Sequence, residues 1–177
     1  HRVDRRQRQM CIRDRGYTVM ISNFSEYYRM VDYFSTFTNQ HIGVAMGVNN
    51  LLDVFDEEYY KNLPGGILEA FGKFFKKDMR VYLYPYKDMK TGELLTSENL
   101  KVHDNLKELY KYFKLNKRIV DIENFNPKFL EIYSREILKK ILTQELGWEE
   151  ELPIGVSEMI KDRQMFGYKE LTFDGLN

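Results

Sequence analysis

The 177 residues hold 27 Lys and Arg against 27 Asp and Glu, a formal net charge of zero, with one cysteine and 43% hydrophobic side chains. One cysteine excludes a disulfide scaffold and a Cys-ligated zinc site. The apolar runs fall short of the ~18 residues a membrane-crossing helix needs, and no secretory leader is visible, so a cytoplasmic globular protein is expected.

The chain opens on its most basic stretch. Arg5 to Arg15 reads RRQRQMCIRDR. Such a block usually reads as an interaction arm for nucleic acid or membrane. These eleven residues, however, resemble the translation of a transposon adapter used in sequencing libraries, and residues 1–15 are therefore set aside as an artefact of the reading frame. The frame is then expected to begin inside a longer coding sequence, with the parent continuing upstream. Without the six Arg and two Asp of that segment, residues 16–177 carry 21 basic and 25 acidic groups, a net charge of −4. This acidic balance disfavours a nucleic-acid partner, because phosphate binding needs a basic surface.

Asn23 with Glu26 has the form of an N-cap with an acidic residue three positions on, and Phe24, Tyr27, Tyr28, Val31 and Phe34 follow at helical spacing to about Thr38. His41 to Gly47 is a short run of small apolar residues and predicts a buried strand. Asn49 and Asn50 are placed to cap a helix carrying Leu51, Leu52, Val54 and Phe55. After Asn62-Leu-Pro-Gly-Gly66, the stripe Ile67, Leu68, Phe71, Phe74, Phe75 predicts a third helix, whose Lys73 to Lys77 put positive charge at its C-terminus.

Met79 to Pro85 is the clearest strand, and Asp88 to Glu93 a turn. A helix with Leu106, Leu109, Tyr110 and Phe113 precedes another short apolar run, Ile119 to Ile122. The alternation predicts α/β crossover units around a mainly parallel, Rossmann-like sheet flanked by helices and truncated at its N-terminus, with a helix-rich α+β fold as the alternative. Residues 16–177 are expected to form the C-terminal portion of one such domain.

In the last third, Phe129 to Ile141 leads to Trp148, then to Leu152-Pro-Ile-Gly-Val156 and on to Ile160 and Phe166. This arrangement resembles the C-terminal end of nicotinate/nicotinamide mononucleotide adenylyltransferases. There a strand-to-helix motif I-S-S-T-x-I-R precedes V-P-x-x-V-x-x-Y-I and a terminal aromatic. Ile132, Ser134 and Ile137 stand at the positions of the first motif; Leu152, Pro153, Val156 and Ile160 at those of the second. Val44 to Asn50 is similar to the family's strand ending in G-A-D-S, with Gly47 as the glycine and Asn49 in place of the aspartate. The likeness spans roughly residues 42 to 168.

The resemblance implies transfer of the adenylyl group of ATP to a mononucleotide in NAD biosynthesis, with Mg2+ as cofactor and small-molecule nucleotides as partners. It implies ATP-phosphate contacts at Ser134, Arg135 and Lys139, and mononucleotide contacts at Gly47, Asn49 and Trp148. Tyr133, Arg135 and Leu138 depart from the motif, Leu138 replacing an arginine that helps to hold phosphate; Arg135, Lys139 and Lys140 keep positive charge in the same turns. Physically, a serine at a helix start with basic residues in its first turns suits an anion. Ser134 as an ordinary N-cap, or inside one helix from Pro127 to Leu146, is the other reading of the same residues.

The family's H-x-G-H element, which stabilises the transferred phosphoryl charge, is not matched by His1, His41 or His103. The chain by itself is thus expected to lack turnover, the histidines lying upstream in the parent. His41 and His103 read as surface or capping residues. Asp53, Asp56, Glu57 and Glu58 read as a solvated face rather than a metal site. The 13 Tyr and 12 Phe read as core and subunit contact, compatible with a homo-oligomer. Trp148 reads first as an anchor of the linker before the last helix, and second as a stacking surface. A non-catalytic α/β interaction module is the alternative function.

Overall fold

A computed structural model describes residues 16–18, 20 and 22–169 of the chain; the adapter-like segment lies outside the described residues. The described chain divides into two compact units, one built on residues 23–126 and the other on residues 127–169, where one domain is expected from the sequence. The division falls at Asn126-Pro127, where no regular element crosses.

In the first unit, α1 (Tyr27–Phe34) is followed by β1 (Gly43–Gly47), α2 (Val48–Val54), a 3-10 turn at Glu57–Tyr60, α3 (Gly66–Phe74) and β2 (Arg80–Tyr84). Then come the two-residue strands β3 (Tyr86–Lys87) and β4 (Leu94–Leu95), a 3-10 turn at Asp104–Leu106, α4 (Lys107–Leu115) and β5 (Ile119–Asp121). The strands β1, β2 and β5 form a parallel sheet in that order, while β3 and β4 pair as a small antiparallel hairpin. The fold is mixed α/β, as the crossover pattern predicts: parallel neighbours need a long connection, and α2, α3 and α4 supply it.

Register explains the inner face. Val44 stands beside Val81 and Val81 beside Ile119; Met46 stands beside Leu83 and Leu83 beside Asp121. The apolar members of these rows are all buried. Helical spacing brings Leu51 and Val54, Ile67, Ala70, Phe71 and Phe74, and Tyr110 and Phe113 against them. The aromatic density of the sequence goes into this core: Phe75 stacks on Phe113 at 4.0 Å between ring centres, and Phe71 meets Phe55 edge-on at 4.9 Å. Asp121 ends the sheet on the same inner face, and its carboxylate accepts the Ser97 N–H at 2.8 Å and the Ser97 hydroxyl at 2.7 Å. The Tyr110 hydroxyl donates to the Ser97 carbonyl at 2.8 Å, so the buried polar groups at this end satisfy one another.

Several boundaries differ from expectation for local reasons. β1 runs into α2 with no intervening residue, so Gly47 is the N-cap and Asn49 and Asn50 lie exposed within the helix rather than capping it. α1 begins after Glu26, with no capping bond from Asn23. At its other end, the Lys77 ammonium donates to the Ser35 and Thr38 carbonyls at 2.9 and 3.2 Å. The positive charge foreseen at the end of α3 therefore serves the C-terminus of α1 as well.

The second unit holds a 3-10 turn at Pro127–Glu131, α5 (Ser134–Thr143), a 3-10 turn at Trp148–Glu151, α6 (Val156–Asp162) and a 3-10 turn at Met165–Gly167. The strand expected before Ser134 is not formed. Phe129 is exposed and Leu130 buried within a turn that Pro127 opens, a proline well suited to a first helical position by its fixed φ. Residues 127–146 are likewise not one helix, since Ile132 and Tyr133 break it and Tyr133 is extended. Gln144 at φ 59° closes α5, and Gly147 at φ 91° turns the chain back, a conformation that favours glycine. This turn delivers Trp148 to a core of Ile137, Ile141, Ile160 and Met165.

Candidate functional site

Two places carry the residues singled out in the sequence, one in each unit. In the first unit, Gly47 stands at the C-terminal end of β1, where ligands of open parallel sheets bind. Its backbone is extended, at φ −81° and ψ 167°, so any residue could adopt it. A Cβ built on Gly47 would meet no atom within 4 Å, so the space beside this turn is open. Asn49, two residues on, is exposed in the first turn of α2.

In the second unit, α5 starts at Ser134 after the extended Tyr133, which makes no side-chain capping bond. Ser134 is therefore the first helical residue and not the cap. The Glu136 N–H already bonds to the Tyr133 carbonyl at 2.9 Å, and the amides of Ser134 and Arg135 precede that bond. Arg135 and Lys139, one turn apart, are both exposed, and neither forms an ion pair among the described residues. Arg135 and Lys139 place two cations near the positive end of the helix, and Glu136 carries the opposite charge in the same first turn.

Lys140 departs from this group. Its ammonium is paired with the Glu151 carboxylate, and that hydrogen bond raises its pKa above the ordinary lysine value. The partner lies eleven residues along the chain, beyond any helical spacing, so only the folded turn at 148–151 reveals it.

Trp148 is 3% exposed. Lys161 Nζ lies 5.6 Å from its ring centre, and the Tyr168 ring is tilted against it at 6.0 Å. Lys161 also bonds Glu149 at 2.8 Å, which holds that carboxyl below the usual range. Trp148 is thus the anchor of its unit; little of its ring is left for a base to cover.

The remaining candidates are held by their neighbours. His41 Nδ1 lies 2.5 Å from the Asp78 carbonyl and Nε2 lies 3.1 Å from the Tyr82 hydroxyl, which ties the start of β1 to β2. His103 Nδ1 contacts Asn105 Oδ1 at 2.5 Å beside the turn that opens α4. Asp56 accepts the Glu58 N–H at 3.0 Å, and Glu58 pairs with Lys61. Among the described residues no group of three or more His, Cys, Asp or Glu could hold a metal ion, and no helix is long and apolar enough to cross a membrane.

Compared with known proteins, the chain matches no family model, no curated protein and no solved structure.

Proposed function

We propose that this chain is the nucleotide-binding C-terminal part of an adenylyltransferase, whose parent joins the adenylyl group of ATP to nicotinate or nicotinamide mononucleotide in the cytoplasm. The observation that carries the reading is the passage from β1 to α2. A parallel strand ends in a glycine with open space beside it and runs directly into a helix, at the sheet edge where such folds receive nucleotides. The residue likeness at Val44 to Asn50 falls on the same turn.

The second support is α5, where the Ser134 and Arg135 amides and the Arg135 and Lys139 cations offer donors to phosphate. ATP phosphates suit that donor set. Magnesium would arrive on the nucleotide, whose phosphates supply its ligands.

The test uses Gly47→Val. The extended backbone and the open space let valine enter without strain, so the melting temperature should stay unchanged. Mononucleotide affinity, measured by isothermal titration, is expected to fall at least about tenfold, because the new side chain takes the space that the ligand's approach requires. Unchanged affinity in a folded variant would show that the mononucleotide does not use this turn.

A further inference from the structure

A cavity of about 350 Å³ opens in the first unit between the start of α1, the outer face of α2 and the 3-10 turn at Glu57–Tyr60. Its walls include Phe24, Tyr27, Tyr59 and Tyr60, and its charged members are Glu26 and Asp53; no basic side chain lines it. The two carboxylates differ. Glu26 Oε2 is already engaged by Arg29 at 3.2 Å and by the Ser25 hydroxyl at 2.7 Å. The Asp53 carboxylate has neither an ion pair nor a hydrogen bond among the described residues. Its field is felt by the Tyr27 hydroxyl, whose pKa is raised by burial and then by Asp53. Tyr59 stands 55% exposed at the rim, while Tyr60 is fixed by donating to the Val54 carbonyl at 2.8 Å.

Aromatic faces attract cations through their negative quadrupole, most strongly cations whose charge is spread over methyl groups and cheaply stripped of water. An uncompensated carboxylate beside such faces adds a counter-ion. A bare metal ion does not fit, because a third ligand is missing among the described residues. We infer that this cavity binds a small methylated ammonium, with Asp53 as its counter-ion and the rings of Phe24, Tyr27 and Tyr59 as its walls. This site involves neither Gly47 nor α5, so its failure and that of the nucleotide reading are separate.

Choline chloride titrated into the full chain, labelled with 13C at the methionine methyls, tests it, because Met30 lines the cavity and reports on it directly. The Met30 signal, assigned with Met30→Leu, should shift saturably. The neutral isostere 3,3-dimethylbutan-1-ol should bind at least about tenfold more weakly, and Asp53→Asn should cost choline a similar factor. Asp53 is exposed on α2, so its exchange leaves the core intact, which circular dichroism verifies. Phosphatidylcholine vesicles offer the same headgroup on a membrane: cosedimentation lost in Asp53→Asn would identify a lipid source, and binding of free choline alone a soluble one. Equal binding of choline and its isostere, an unaffected Asp53→Asn, or no Met30 shift would overturn the inference.

Discussion

Phe74→Ala is expected to lower the stability of the first unit by about 3–5 kcal/mol, the usual cost of truncating a buried aromatic. Phe74 is 1% exposed and is the largest of the fully buried side chains. Its ring meets Phe75 at 4.8 Å and Tyr27 at 6.5 Å, so it joins α3 to α1 as well as filling the core beneath the sheet. Because domains carry only about 5–15 kcal/mol in total, the variant should sit near the edge of folding. Urea denaturation followed by far-ultraviolet circular dichroism should show a much lower midpoint. Phe74→Leu, which keeps most of the volume, should recover a large part of the loss. A midpoint moved by less than about 1 kcal/mol equivalent would mean that Phe74 does not pack as described.

Trp148→Ala is expected to do comparable damage to the second unit, again about 3–5 kcal/mol. That unit's buried cluster consists of Ile137, Ile141, Trp148, Ile160 and Met165, and the tryptophan is the largest of them. Small cores have little reserve, since a short chain buries a smaller fraction of its surface. Hydrogen exchange read by mass spectrometry localises the effect. Amides of α5 and α6 should lose their protection, while Trp148→Phe should keep most of it. Unchanged protection in Trp148→Ala would contradict the anchoring role and reopen the side chain as a stacking surface.

The sheet was legible because each strand has a local signature. Val81 and Leu83 alternate with Tyr82 and Tyr84, Gly43 to Gly47 is too short and small for an isolated helix, and Ile119 to Asp121 follows a helix with clear periodicity. The helices were legible from apolar spacing, as in Ile67, Phe71 and Phe74; Leu68, expected on the same stripe, is exposed, and Ala70 is buried in its place. Ends were not. Gly47 rather than Asn49 caps α2 because the strand leaves no room for a separate cap. The run from Phe129 to Tyr133 has strand-forming residues, yet Pro127 starts a turn there, a tertiary choice that β-propensity does not contain.

The candidate site shows the same contrast. The exposure of Arg135 and Lys139 follows from the apolar stripe of Ile137 and Ile141, which must face inward and leave the cations outside. The pairing of Lys140 with Glu151 depends on the left-handed turns at Gln144 and Gly147, which no spacing rule anticipates. The cavity beside Asp53 joins residues 24–30 to residues 50–60, and only packing could bring them together.

Beside the Gly47 turn, the nucleotide proposal requires that the start of α5 receive phosphate. Isothermal titration of the full chain with magnesium-ATP is the direct measurement. Saturable heat in the micromolar range is expected, weakened at least about tenfold by Arg135→Ala, since a hydrogen bond to a charged group contributes about 1.5–3 kcal/mol. Lys139→Ala should weaken it by a smaller factor, and Lys140→Ala, whose ammonium is already held by Glu151, should leave it nearly unchanged. A folded wild-type protein that gives no heat with ATP, or an Arg135→Ala protein that binds it equally well, would contradict the nucleotide reading.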